Sequence, residues 1–103
     1  MDTSKEWTEL VEDMTELPDV AAGKMFGCLG LKTGKKFFAM VWEDKLVVKL
    51  PKDRAAKVMK SGGEAFQPMP GRTMGEWVVV ANTKDWPTLA EESRVYVEML
   101  AAG

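Results

Sequence analysis

Between Lys24 and Leu50 apolar residues gather into three runs, 24–31, 35–42 and 45–50, separated by short polar breaks. Runs of this length, rich in β-branched and aromatic residues, predict three successive strands. In the second run Phe38, Met40 and Trp42 alternate with Phe37, Ala39 and Val41. Side chains of a regular strand point to opposite faces in turn, so this strand is expected to be apolar on both. The third run has Leu46, Val48 and Leu50 on one face and Val47 and Lys49 on the other. Thr33-Gly34 and Glu43-Asp44 supply the turns, and residues 18–23 read as a link into the sheet.

The spacing changes on either side of these strands. Trp7, Leu10, Val11, Met14 and Leu17 recur every three or four residues, an amphipathic helix over 4–17 with an acidic outer face. Thr3 with Glu6 fits a capping box, and Pro18 disfavours helix at Leu17. A short helix is predicted over 52–61, with Asp53 as cap and Ala55, Ala56 and Met59 inward; Ser61-Gly62-Gly63 stops it. Residues 65–69 and 76–81 read as two further strands around the turn signal Pro70-Gly71. A final helix starts at Trp86 or Pro87, with Thr88 and Glu91 spaced as a second capping box and Leu89, Ser93, Tyr96, Val97 and Leu100 inward. The expected fold is α+β: two layers and a mainly antiparallel sheet, in the order helix, three strands, helix, two strands, helix. At 103 residues this is one domain, 1–103.

Charge adds an asymmetry that the net value of −2 hides. Residues 1–20 carry seven acids against one base, and residues 24–60 carry ten bases against three acids. Such bias serves solubility and pairing between neighbouring elements, or else it builds a basic surface for an acidic partner. The N-terminus is polar and acidic, unlike a signal peptide. No apolar run approaches the ~20 residues that cross a bilayer. The single cysteine, Cys28, has no internal disulfide partner. A cytoplasmic protein without membrane association is expected.

The chemistry available is narrow. Without histidine there is no Ser-His-Asp or Cys-His system, and the commonest nitrogen ligand for zinc is missing. Gly27, Gly30 and Gly34 do not have phosphate-loop spacing, and no helix follows them; Gly27 and Gly30, within the first strand, mark a bulge or a close approach by another backbone. Glu43-Asp44 falls in a turn, and Glu91 and Glu92 diverge on a helix. No catalytic, metal or cofactor residues are assigned, and a non-enzyme is expected. Eight methionines suit irregular packing and adaptable binding surfaces.

Met25-Phe26-Gly27, Gly30-Leu31, Gly34, Phe38-Ala39 and Leu46 with Lys49 form an ordered pattern. It continues in Phe66-Gln67-Pro68-Met69-Pro70-Gly71-Arg72, Met74 and Trp77-Val78, and ends in the closing helix. Over roughly residues 5–100 it resembles the N-terminal domain of the TfoX/Sxy competence regulators. The resemblance implies the fold given above, a role near the regulation of DNA-uptake genes, and no catalytic residues. Longer members carry a second, helical domain that this chain, ending at Gly103, is expected to lack.

Two functional readings follow. The first is a small regulatory or protein-interaction module, with a protein partner or a second copy on a surface that includes Phe37, Trp42, Met69, Arg72 and Met74. Arg72 is expected at or beside the tip of a projecting hairpin over 68–77, unless it pairs with an acid of this chain such as Glu76. The second is nucleic-acid binding, with Lys24, Lys32, Lys35, Lys36 and Lys45 as phosphate contacts. The acidic balance of the whole chain weighs against it.

Overall fold

The computed structural model describes residues 5–25, 28–42, 45–69 and 72–102, with side chains for all of these except 25, 28, 67–69, 72–75 and 102. Helix α1 (Lys5–Met14) leads into strands β1 (Val20–Met25), β2 (Cys28–Thr33), β3 (Lys36–Trp42) and β4 (Lys45–Lys49). Helix α2 (Lys52–Lys60), strands β5 (Glu64–Met69) and β6 (Arg72–Val80), a 3-10 turn at Thr83–Asp85 and helix α3 (Trp86–Ala102) complete the chain. The six strands form one antiparallel sheet in the order β1-β2-β3-β4-β6-β5. The class is α+β, and the order helix, strands, helix, strands, helix is the expected one.

The first predicted strand differs. The run 24–31 belongs to two strands, which pair from Val20↔Thr33 to Met25↔Cys28. The supposed link 18–23 is therefore mostly β1. Helix α1 ends three residues earlier than its apolar stripe, at Met14, and the Thr15 hydroxyl donates to the Val11 carbonyl at 2.7 Å. In α2 no side chain caps the first turn, so Asp53 is not the cap. Val58 is buried and Ala56 is exposed, the reverse of an Ala56-inward helix. Asn82 rather than Thr88 caps the approach to α3, its Oδ1 accepting from the Lys84 N–H at 3.1 Å. The Thr3 cap lies outside the described residues.

All three helices contribute to one core on one face of the sheet: Trp7, Leu10 and Met14 from α1, Ala55 and Val58 from α2, and Trp86, Leu89 and Val97 from α3. They pack on Leu31, Phe38, Val41, Leu46, Val48, Val78 and Val80. Each large apolar side chain fully buried in this way contributes about 1.5–3 kcal/mol. Trp86 fixes the start of α3, its indole N–H donating to the Val80 carbonyl at 3.0 Å.

No helix lies in the second cluster, which occupies the opposite face: Met40, Val47, Phe66, Trp77 and Val79, with Phe37 and Trp42 partly buried against them. A bulge decides its membership. Leu31 pairs with Ala39, but Lys32 pairs with Phe37, so Phe38 is an extra residue on β3. Phe38 and Ala39 both join the helix-side core, and Phe37 falls on the face of Met40 and Trp42. Strict alternation had placed Phe37 and Trp42 on opposite faces; the bulge puts them together.

Candidate interaction surface

Paired glycines make room for the first aromatic on this face. Gly23 and Gly30 oppose each other across β1 and β2. A Cβ on either would come within 3.1 Å of the Phe37 ring, and one on Gly30 would also come within 2.9 Å of the Ala39 carbonyl oxygen. The close backbone approach expected at Gly30 is that of the Ala39 carbonyl, and the Phe37 ring adds to it. Trp42, at the other end of β3, meets Phe66 edge-on, with ring centroids 5.3 Å apart and planes at 82°. In a flat sheet β3 and β5 would stand about 14 Å apart, three strand spacings. The two side chains thus lean toward each other across the intervening strands, and register shifts lie on either side of Phe66.

The remaining members of the expected surface lie on that β5–β6 hairpin. Met69 pairs with Arg72 across 70–71, and Met74 pairs with Phe66. Arg72 thus flanks the hairpin tip. The side chains of Met69, Arg72 and Met74, and the pairing partner expected for Arg72, lie outside the described residues. Glu76 Oε2, the acid suggested for Arg72, accepts from the Tyr96 hydroxyl at 2.8 Å.

The sheet does not bring the five lysines together. Lys32, Lys35 and Lys36 sit at the end of the sheet formed by the β2–β3 turn. Lys24 and Lys45 sit at the other end, the first one residue from the Met25↔Cys28 pair and the second opposite Trp42. What the lysine count did not reveal is a groove of about 400 Å³ at the first end, where the last turns of α3 pass the sheet. Lys35, Lys36 and Phe37 line it with Lys49, Trp77 and Leu100. Lys49 and Trp77 are register partners on β4 and β6, a juxtaposition that only strand pairing creates. Leu100, expected inward, is 49% exposed.

Acids and arginines outside this face pair with one another. Arg54 holds Glu92 through two bonds of 2.7 and 3.1 Å. Arg94 joins Glu91 and, at 2.9 Å, Glu98, which also accepts from the Thr33 hydroxyl at 2.7 Å. These bonds hold the Glu91 and Glu98 carboxyls below, and Arg54 and Arg94 above, their ordinary values. The bond to Glu76 raises the Tyr96 phenol. Glu91 and Glu92 thus serve different arginines. Glu43 and Asp44 lie outside the described residues, as does the Cys28 side chain. Among the described residues no group of three or more His, Cys, Asp or Glu is placed to hold a metal ion. No described helix is long and apolar enough to cross a membrane.

A family model described as the TfoX N-terminal domain matches residues 12–92. No curated protein matches the chain.

Proposed function

This chain belongs to the TfoX N-terminal domain family, and on that footing we propose that it is a non-catalytic regulatory or protein-interaction module that meets its partner through the helix-free face of the sheet. The observation that carries this reading is the composition of that face. An antiparallel sheet face that meets water ordinarily alternates to polar residues. Here Met40, Val47, Phe66, Trp77 and Val79 are buried within the chain itself, and what the face offers a partner is its margin, where Phe37 and Trp42 are only partly buried. Met69, Arg72 and Met74 belong to the β5–β6 hairpin; as residue types, methionine is flexible and polarizable and arginine is a planar fork of donors suited to a carboxylate. Glu91 and Glu92 line one shallow cavity with Arg54 and Tyr96, and each is engaged by a different arginine, as Glu98 is by Arg94, which supports a structural use of these carboxylates.

The test is a double measurement on Arg72→Ala. Immobilised parent protein is used to capture partners from lysate, and capture and thermal stability are then compared for the variant. A recognition role predicts unchanged stability and reduced capture. Reduced stability with unchanged capture would make Arg72 structural. A second copy is one eligible partner, read by sedimentation over a wide concentration range. The nucleic-acid reading draws less support, because its lysines divide between two ends of the sheet. A mobility shift of DNA or RNA at low salt that weakens steeply as salt rises would revive it.

A further inference from the structure

The groove at the α3 end of the sheet combines apolar walls with a cationic rim. Trp77 is only 7% exposed, Phe37 is half-buried, and Leu100 stands open beside them. Lys35, Lys36 and Lys49 line the same space, and among the described residues no acid does. Among the described residues none of these lysines forms an ion pair. Of the acids nearby, Glu98 is engaged by Thr33 and Arg94 and Glu76 by Tyr96, while Asp19 adjoins the β2–β3 turn without lining the groove. The carbonyl end of α3 brings a partial negative charge to the groove, which three full positive charges outweigh.

We propose that this groove binds an acidic peptide anchored by one bulky apolar side chain. The apolar side chain enters against Phe37, Trp77 and Leu100, and carboxylates flanking it pair with Lys35, Lys36 and Lys49. The proposal rests on the reading of the domain as a protein-interaction module and names the chemistry of one partner. Charge complementarity selects an anion, and the walls select a peptide over a nucleic acid. Phe37 lies against Gly23 and Gly30 and Trp77 is nearly enclosed, so neither offers a free ring face for stacking a base. Lys24 and Lys45, which a phosphate backbone would need for a continuous track, are at the far end of the sheet.

The experiment is an amide chemical-shift titration of the full chain with four synthetic probes. These are a peptide with phenylalanine and leucine flanked by glutamates, its version with lysines for glutamates, its version with alanines for the apolar pair, and single-stranded oligothymidylate. The expected result is saturable shifts for the first probe alone, confined to Lys35–Phe37, Lys49, Trp77 and Leu100. Reversing two rim charges in the double variant Lys36→Glu, Lys49→Glu should weaken that binding about tenfold and allow the lysine-flanked peptide to bind. Oligothymidylate shifts that extend to Lys24 and Lys45 would overturn the proposal in favour of nucleic acid. Shifts at Trp42 and the β5–β6 hairpin with none in the groove would overturn it while leaving the interaction reading standing. No shift with any probe also overturns it, and the capture experiment then decides the broader reading separately.

Discussion

The Ser93 hydroxyl, fully buried on α3, donates to the Phe38 carbonyl at 2.6 Å and accepts from the Lys49 N–H at 3.1 Å. Phe38 is the extra residue of the β3 bulge, and the β3–β4 ladder runs only from Trp42↔Lys45 to Ala39↔Val48. One helix side chain therefore joins two backbone groups next to where that ladder stops, and it ties α3 to the point at which Phe37 changes face. Ser93→Ala would leave a buried carbonyl and a buried N–H without this partner. The expected loss is about 1–3 kcal/mol, read as a lower urea midpoint. An unchanged midpoint would mean that water or a backbone shift replaces the hydroxyl.

Gly30→Ala and Gly23→Ala separate the two glycines beneath Phe37. Alanine for glycine normally stabilises a compatible site by about 0.4–1 kcal/mol. At Gly30 the added Cβ would stand 2.9 Å from the Ala39 carbonyl oxygen as well as against the Phe37 ring. At Gly23 it meets the ring at 3.1 Å and the flexible end of Lys32 at 3.8 Å. Gly30→Ala is expected to destabilise by about 1–3 kcal/mol, as overpacking does, and Gly23→Ala by less. Equal thermal midpoints for the two variants would contradict this arrangement.

Trp7 is 2% exposed and belongs to the core that joins all three helices to the sheet. Trp7→Ala should cost about 3–5 kcal/mol, a large share of the ~5–15 kcal/mol that holds a domain together. A denaturant midpoint equal to that of the parent would show that α1 is not docked as described.

Acid stability should depend on Glu98. Its bonds to Thr33 first, and then to Arg94, keep its carboxyl below the ordinary value of 4.5. A folded pKa below the unfolded one contributes stability that is fully present above the unfolded value. That stability is lost as pH falls through the folded value. Glu98 is 40% exposed, so solvent screening keeps the effect small. Urea midpoints should fall on acidification below about pH 4.5, and Glu98→Gln should reduce the fall. An identical acid slope in the variant would remove Glu98 as a contributor.

Much of the fold was legible because local pattern and tertiary environment agree. The alternation of Leu46 to Leu50 and the Leu89, Ser93, Val97 stripe of α3 read directly onto the helix-side core. Residues 20–23 escaped because Ala21, Ala22 and Gly23 carry little strand propensity, and the apolar run through Phe26 shows no polar break where β1 gives way to β2. The bulge was invisible: Phe37, Phe38 and Ala39 are all apolar, so nothing in their order marks which residue is extra. Phe37 and Trp42 were found as candidates by their size and hydrophobicity, but their common face was not. Lys49 and Trp77 lie 28 positions apart in the chain, and only the β4–β6 register brings them side by side.

The four tryptophans sample separate places: Trp7 on α1, Trp42 on the helix-free face, Trp77 in the groove and Trp86 at the start of α3. Uniform 5-fluorotryptophan labelling therefore gives a map of partner binding in one fluorine spectrum, recorded before and after addition of a captured partner. The account predicts that the Trp42 resonance moves while those of Trp7 and Trp86 stay in place. Movement of Trp7 or Trp86 with Trp42 unchanged would put the partner on the helical layer and contradict the assignment of the helix-free face.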